Sequence, residues 1–82
     1  MKSALDKKSI QLYIGKRIKK IREQKGISQQ LIAAQCNMEK SNLSRLESGR
    51  SNPTYFTLYK IAFYLEVPIS ELTHLTEEKE NK

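Results

Sequence analysis

Residues 26–49 read Gly26-Ile27-Ser28-Gln29-Gln30-Leu31-Ile32-Ala33-Ala34-Gln35-Cys36-Asn37-Met38-Glu39-Lys40-Ser41-Asn42-Leu43-Ser44-Arg45-Leu46-Glu47-Ser48-Gly49. Two short helices and a tight turn account for this pattern. Ser28 is a cap residue, and Gln29 to Cys36 follows as a helix with Ile32, Ala33 and Cys36 on one face. Asn37 marks the turn, because Asn tolerates the left-handed conformation better than most residues with a Cβ. The next helix runs from about Lys40 to Ser48 and stops at Gly49. Leu43 and Leu46 form its inner stripe, with Met38 packing just before it. Its opposite face carries Ser41, Ser44, Arg45 and Ser48, with Lys40 at the N-terminal end. The second helix of the pair is therefore anchored on one side and polar and basic on the other.

On the N-terminal side, Ile10, Ile14, Ile18 and Ile21 recur every three or four residues, one stripe of a helix. Ser9 or Asp6 is the candidate cap, Gly26 the stop, and Lys25 suits the negative end of the helix dipole. Lys16, Arg17, Lys19 and Lys20 fall on the other faces. On the C-terminal side, Arg50-Ser51-Asn52-Pro53-Thr54 is a loop by composition. Thr57 to Leu65 reads as a fourth helix capped near Thr54, with Leu58, Ile61, Ala62 and Leu65 inward. Val67-Pro68 breaks it, and Ile69, Leu72 and Leu75 mark a short fifth helix. No strand pattern, repeat or low-complexity segment is present. The expected fold is all-α, a compact five-helix bundle: residues 1–8 form an extension, 9–75 the domain, and 76–82 a charged tail expected to fray.

The length of 82 residues suits one domain with one small core. The formal charge of +6 is uneven. Residues 1–50 hold 12 basic and 4 acidic side chains, +8, and residues 51–82 hold 3 and 5, −2. That asymmetry fits a polyanion on one side of the molecule. Cys36 is the only cysteine, so no intrachain disulfide or cysteine-based zinc site forms, and a reducing cytoplasm is the expected compartment. No apolar run approaches the ~20 residues that cross a bilayer. The start, Met1-Lys2-Ser3-Ala4-Leu5-Asp6, is followed by no hydrophobic run and does not read as a secretory signal. Cys36 faces the core of its helix and His74 lies near the tail, so the two are not read as metal ligands. No spacing matches a nucleophile elbow, a phosphate loop or a metal motif. The chain is not read as an enzyme, and no metal or cofactor is expected.

In order and spacing, the chain resembles the Cro/C1-type (XRE-family) helix-turn-helix proteins, the five-helix DNA-binding domain of phage repressors and many bacterial regulators. The resemblance spans about Ile14 to Leu72. It rests on Ile14-Gly15-Lys16-Arg17-Ile18-Lys19-Lys20-Ile21-Arg22, Gly26-Ile27-Ser28-Gln29, Ile32-Ala33, Leu43-Ser44-Arg45-Leu46-Glu47-Ser48-Gly49, Asn52-Pro53 and Leu58-Tyr59-Lys60-Ile61-Ala62. Three positions depart from the family pattern. Asn37 stands where the turn usually has Gly, Leu31 is apolar where the family is polar, and Pro68 replaces the usual Ser cap of the fifth helix.

The resemblance implies double-stranded DNA as the partner, with the third helix in the major groove. It points to Lys40, Ser41 and Arg45 as base-reading positions and to Asn42 as a base or phosphate contact. An Arg there can bond a guanine with two hydrogen bonds. It also implies phosphate contacts from Gln29, Ser44, Arg50, Asn52 and Thr54, Gln29 bracing the first residues of the reading helix as well; Asn52 is equally readable as a turn former. Arg22 and Glu47 correspond to a partly buried ion pair that sets the angle of the reading helix, a structural role.

A single reading helix touches too few base pairs to find one site in a genome, so a homodimer is expected. The −2 half leaves Tyr59, Phe63, Tyr64, Ile69, Leu72 and Leu75 as its candidate interface, since the chain has more apolar side chains there than one small core absorbs. Core packing is the plainer reading of Phe63, and Tyr59 and Tyr64 read equally well as core. The leading reading is a transcriptional regulator of a palindromic operator, similar to small phage repressors and restriction–modification controller proteins. The alternative is an antitoxin whose main task is to bind a toxin, although tail 76–82 lacks a long apolar binding segment.

Overall fold

The structure, a computed structural model, describes residues 6–75. Five helices follow in order: α1 (Lys7–Gln24), α2 (Gln29–Gln35), α3 (Lys40–Glu47), α4 (Tyr55–Leu65) and α5 (Ser70–Thr73). Asp6 caps α1 by accepting from the Ser9 N–H at 2.8 Å. The helix therefore starts two residues inside the segment expected as an extension. Ser28 caps α2 through the Leu31 N–H at 3.1 Å. Thr54 caps α4 through the Thr57 N–H at 3.1 Å, so α4 begins at Tyr55 and not at Thr57. Leu75 lies beyond α5, which ends at Thr73. The charged tail, 76–82, falls outside the described residues.

Four helix ends share one closure. The N–H of a left-handed residue bonds the carbonyl three back, and the next N–H bonds the carbonyl five back. The left-handed residues are Gly26, Asn37, Gly49 and Glu66, with φ between 57° and 78°. Asn37 thus makes the turn between α2 and α3, its N–H on Ala34 O at 3.1 Å and that of Met38 on Ala33 O at 2.9 Å. Cys36 ends α2 as its C-cap, one residue past the helix.

The core is a single cluster: Ile18, Ile21, Ile32, Ala33, Cys36, Leu43, Leu46, Leu58, Ile61, Ala62, Leu65 and Leu72. Ile14, Ile27, Met38, Val67 and Ile69 pack around it, partly buried. Each buried Ile or Leu contributes about 1.5–3 kcal/mol of transfer free energy, so the stripes of α1, α3 and α4 hold the bundle. Leu72 is completely buried. It is a core residue, and its assignment to a subunit interface is corrected: α5 turns it inward against α4 and α1.

α1 is fastened on two sides. Near α5, Tyr13 Oη donates to the His74 carbonyl. Arg17 donates from Nε to the Glu71 carbonyl at 2.9 Å and from Nη2 to its carboxylate at 3.1 Å. Near α3, Gly15 is buried in α1, and a Cβ on it would fall on the carbonyls of Leu46 and Glu47, 2.7 Å from the oxygen of the latter. The backbones of α1 and α3 touch there because Gly15 has no side chain.

Candidate nucleic-acid interface

α3 divides cleanly. Leu43, Leu46 and Glu47 are buried, while Lys40, Ser41, Asn42 and Arg45 are exposed and Ser44 is half-buried. The four candidate base-reading residues thus share the solvent side of one eight-residue helix. Small side chains at Ser41 and Ser44 leave its surface narrow. The flanking Lys40 and Arg45 supply positive charge and hydrogen-bond donors, the combination that reads guanine edges and phosphates in a groove.

What holds this helix from behind is one carboxylate. Glu47 Oε2 accepts from Arg22 Nε at 2.7 Å, and Oε1 accepts from Arg22 Nη2 at 2.9 Å. Gln29 Nε2 donates to the same Oε1 at 2.9 Å. Arg22 also donates from Nη1 to the Ile27 carbonyl at 2.8 Å. Arg22 and Glu47 are only 7% and 5% exposed, and no buried side-chain polar atom among the described residues lacks a partner. The bidentate bonds to Glu47 hold the Arg22 guanidinium above its ordinary range, with burial opposing them. The ion pair implied by the resemblance is therefore present, between α1 and α3. Gln29 braces the last residue of α3, not its first residues, which corrects that part of the sequence reading.

Arg50 follows directly. Its backbone N–H bonds the Arg45 carbonyl at 2.9 Å, and its Nε donates to Ser48 Oγ at 3.1 Å, which in turn donates to the Arg45 carbonyl at 3.0 Å. Arg45 and Arg50 are thereby gathered at one end of α3. The turn between them needs Gly49, with φ 78° and Leu12 Cδ2 only 2.6 Å from where a Cβ would lie. Asn52 is exposed in the α3–α4 loop, beside Pro53 and the Lys7 and Gln11 side of α1. The Thr54 hydroxyl is engaged at α4, accepting from the Thr57 N–H and donating to Thr57 Oγ1 at 3.0 Å.

Of the basic residues of α1, Arg17 is committed to α5. Lys16, Lys19 and Lys20 line an open surface beside Glu23 and Gln24. Cys36 is buried, and burial pushes its thiol up. Among the described residues no group of acidic, His or Cys side chains is arranged to hold a metal, and no helix is long and apolar enough to cross a membrane. Of the remaining interface candidates, Tyr59, Phe63 and Tyr64 are exposed on α4, while Ile69 and Leu75 are half-buried.

Sequence reasoning missed the roles of Gly15 and Arg17, and had Gln29 brace the wrong end of α3. Each depends on a partner far along the chain. The one local signal was a glycine within a run that otherwise reads as helix.

The helix-turn-helix model HTH_3 matches residues 18–72. Over 65 residues the chain is 38% identical to the uncharacterized HTH-type transcriptional regulator y4dJ of Sinorhizobium fredii, spanning 79% of this chain and 84% of that protein. It is 34% identical over 64 residues to the control protein C.MunI of a Mycoplasma species, spanning 77% and 86% respectively. Among solved structures, the restriction–modification controller protein C.AhdI of Aeromonas hydrophila superposes with a TM-score of 0.72 at 28% identity. That superposition covers 74% of this chain and 92% of C.AhdI.

Proposed function

Because the chain belongs to the HTH_3 helix-turn-helix family of DNA-binding transcriptional regulators, we propose that it reads a palindromic operator as a homodimer, with α3 of each copy in the major groove. The observation that carries this reading is the two-sided character of α3. One side is locked into the fold by Arg22, Glu47 and Gln29, and the other offers Lys40, Ser41, Asn42 and Arg45 to a ligand.

A rigidly presented polar helix suits direct readout, since discrimination between bases depends on holding donors within hydrogen-bond geometry. Ser44 and Arg50, with Gln29, Asn52 and Thr54 at its edges, suit phosphates, which fix register without reading sequence. The Gln29 amide keeps one N–H beyond the bond to Glu47, so a phosphate there binds a group already braced against the reading helix. The likeness to C.MunI and C.AhdI supports a small regulator of the controller kind.

Selection of bound sites from random duplex DNA tests the proposal. The expected result is a sharp consensus with two-fold symmetry and half-sites about one helical turn, roughly 34 Å, apart. Recovery of sequences with no shared motif, bound only through salt-dependent attraction, would overturn it.

A further inference from the structure

The solvent face of α1 carries positive charge that the reading surface does not use. Residues 1–50 hold 12 basic side chains. Lys40, Arg45 and Arg50 belong to the candidate interface at α3, and Arg17 and Arg22 are engaged by Glu71 and Glu47. Of the remaining basic residues Lys8, Lys16, Lys19 and Lys20 are exposed on α1. At 100° per residue they fall, with Leu12 and Glu23, in one arc of about 120° opposite Ile14, Ile18 and Ile21. At 1.5 Å per residue the ridge from Lys8 to Lys20 is about 18 Å long.

A helix face that is merely solvated ordinarily mixes its signs, because like charges three or four residues apart repel. Here Lys16 stands three residues from Lys19 and four from Lys20. The one acidic side chain in the arc, Glu23, has its carboxylate 3.9 Å from Arg22 Nη2. Among the described residues no ion pair involves a lysine. The ridge is therefore a row of uncompensated cations. Its members are all lysines, flexible point charges that follow a line of phosphates without the paired geometry that arginine imposes. Protein interfaces are poor in lysine and centre on aromatic and apolar anchors, and Leu12 is the single apolar side chain in the arc. The chemistry favours a nucleic-acid backbone over an acidic protein.

The ridge also borders both phosphate positions proposed above. In its N-terminal half, Leu12 lies against Gly49, the residue before Arg50. At its other end, Lys19 is about one turn before Arg22, which shares the Glu47 carboxylate with Gln29. Lys8 and Lys19 stand nearest the Gly15 and Arg22 side of α1 that meets α3, while Lys16 and Lys20 lie further round. We infer that this ridge binds the phosphate backbone of the same duplex beyond each half-site, drawing the flanking DNA toward α1. The inference rests on the operator reading above and lengthens its footprint past the base pairs that α3 reaches.

Duplex length tests it. The probes are the consensus recovered from random duplex DNA, once ending at the outer edge of each half-site and once with about one further helical turn, roughly 10 base pairs, on each side. Affinity is measured over a range of salt for the wild type, for the triple variant Lys16→Gln, Lys19→Gln, Lys20→Gln, and for the same three positions changed to arginine. Helicity and melting without DNA check that all three proteins fold alike. The wild type is expected to bind the long duplex at least about tenfold more tightly than the short one at low salt, with the slope of log affinity against log salt steeper by about 0.9 for each phosphate neutralised. The glutamine variant should lose that gain yet bind the short duplex as the wild type does, and the arginine variant should keep it. A glutamine variant that keeps the gain, an arginine variant that loses it, or equal losses on both lengths overturns the inference. So does a gain seen only as capture of a second, unlinked duplex, which would make the ridge a bridge between two DNAs. A wild type indifferent to length overturns the flanking contact and leaves the operator reading standing, while a selection that yields no consensus overturns both.

Discussion

Arg22 and Glu47 meet through two parallel hydrogen bonds, 2.7 and 2.9 Å long, in a part of the molecule where both side chains are almost wholly out of water. The pair joins α1 to α3, so its geometry sets how the exposed side of α3, the candidate reading surface, is presented. Removing either partner leaves a buried charge without its counter-ion. Arg22→Ala and Glu47→Ala are each expected to lose about 3–5 kcal/mol of stability without DNA. Chemical denaturation measures this, and the double variant should be no worse than either single. Two singles as stable as the wild type would dissolve the pair as a structural couple.

Gly15→Ala is expected to damage the molecule as badly as a core lesion. The added methyl group meets backbone carbonyls of α3, which cannot rotate away as a side chain would. A loss of about 1–3 kcal/mol is expected, together with weakened DNA binding as α3 is pushed from α1. A melting curve and a titration read both effects. An unchanged melting temperature would mean that the two helices are not in backbone contact.

Arg45→Ala should cost specificity more than affinity. A base contact carries sequence information worth about 1–3 kcal/mol, while a phosphate contact carries none. Affinities for operator and for unrelated duplex, at one salt concentration, separate the two. Equal losses would reassign Arg45 to the backbone.

Arg50→Ala should weaken binding to every duplex and lower the slope of log affinity against log salt by about one, since one fewer counter-ion is released. A slope equal to the wild type's would place the Arg50 guanidinium off the DNA.

Glu66→Gly should stabilise the protein. Glu66 has φ 62°, in the left-handed region, where a side chain costs about 1–2 kcal/mol that glycine avoids. Glycine's greater freedom in the unfolded chain returns part of that, leaving a gain of about 0.5–1 kcal/mol. A urea midpoint that fails to rise would show that the Glu66 side chain compensates its own strain.

The helices themselves were legible because their inner residues are periodic: Ile18 and Ile21, Leu43 and Leu46, and Leu58, Ile61 and Leu65 are all buried. Three of the four helix ends were legible too, at Gly26, Asn37 and Gly49, since these residue types favour positive φ. The fourth, Glu66, has no such preference and was hidden. The start of α4 was misplaced because Tyr55 and Phe56 face solvent and add nothing to its inward period. The apolar surplus of the second half was visible, but its division between core and surface was not. Leu72 went inside and Tyr55 and Phe56 stayed outside, which packing decides and composition does not. Gly15 and Arg17 act on residues about thirty and fifty-four positions away, and no local pattern announces a contact of that range; the brace from Gln29 came from the resemblance, with its end of α3 misplaced.

The shared closure of the helix ends has a kinetic side. At Gly26, Asn37, Gly49 and Glu66 the hydrogen bonds that stop a helix join residues no more than five apart. Those stops can form while the rest of the chain is still a coil, because they close almost no loop. Only the seams, such as Arg22 with Glu47 and Arg17 with Glu71, must wait for distant segments to meet. Small helical bundles of this kind fold in microseconds to milliseconds, fast enough for each newly made chain to find its final shape long before it finds a binding site.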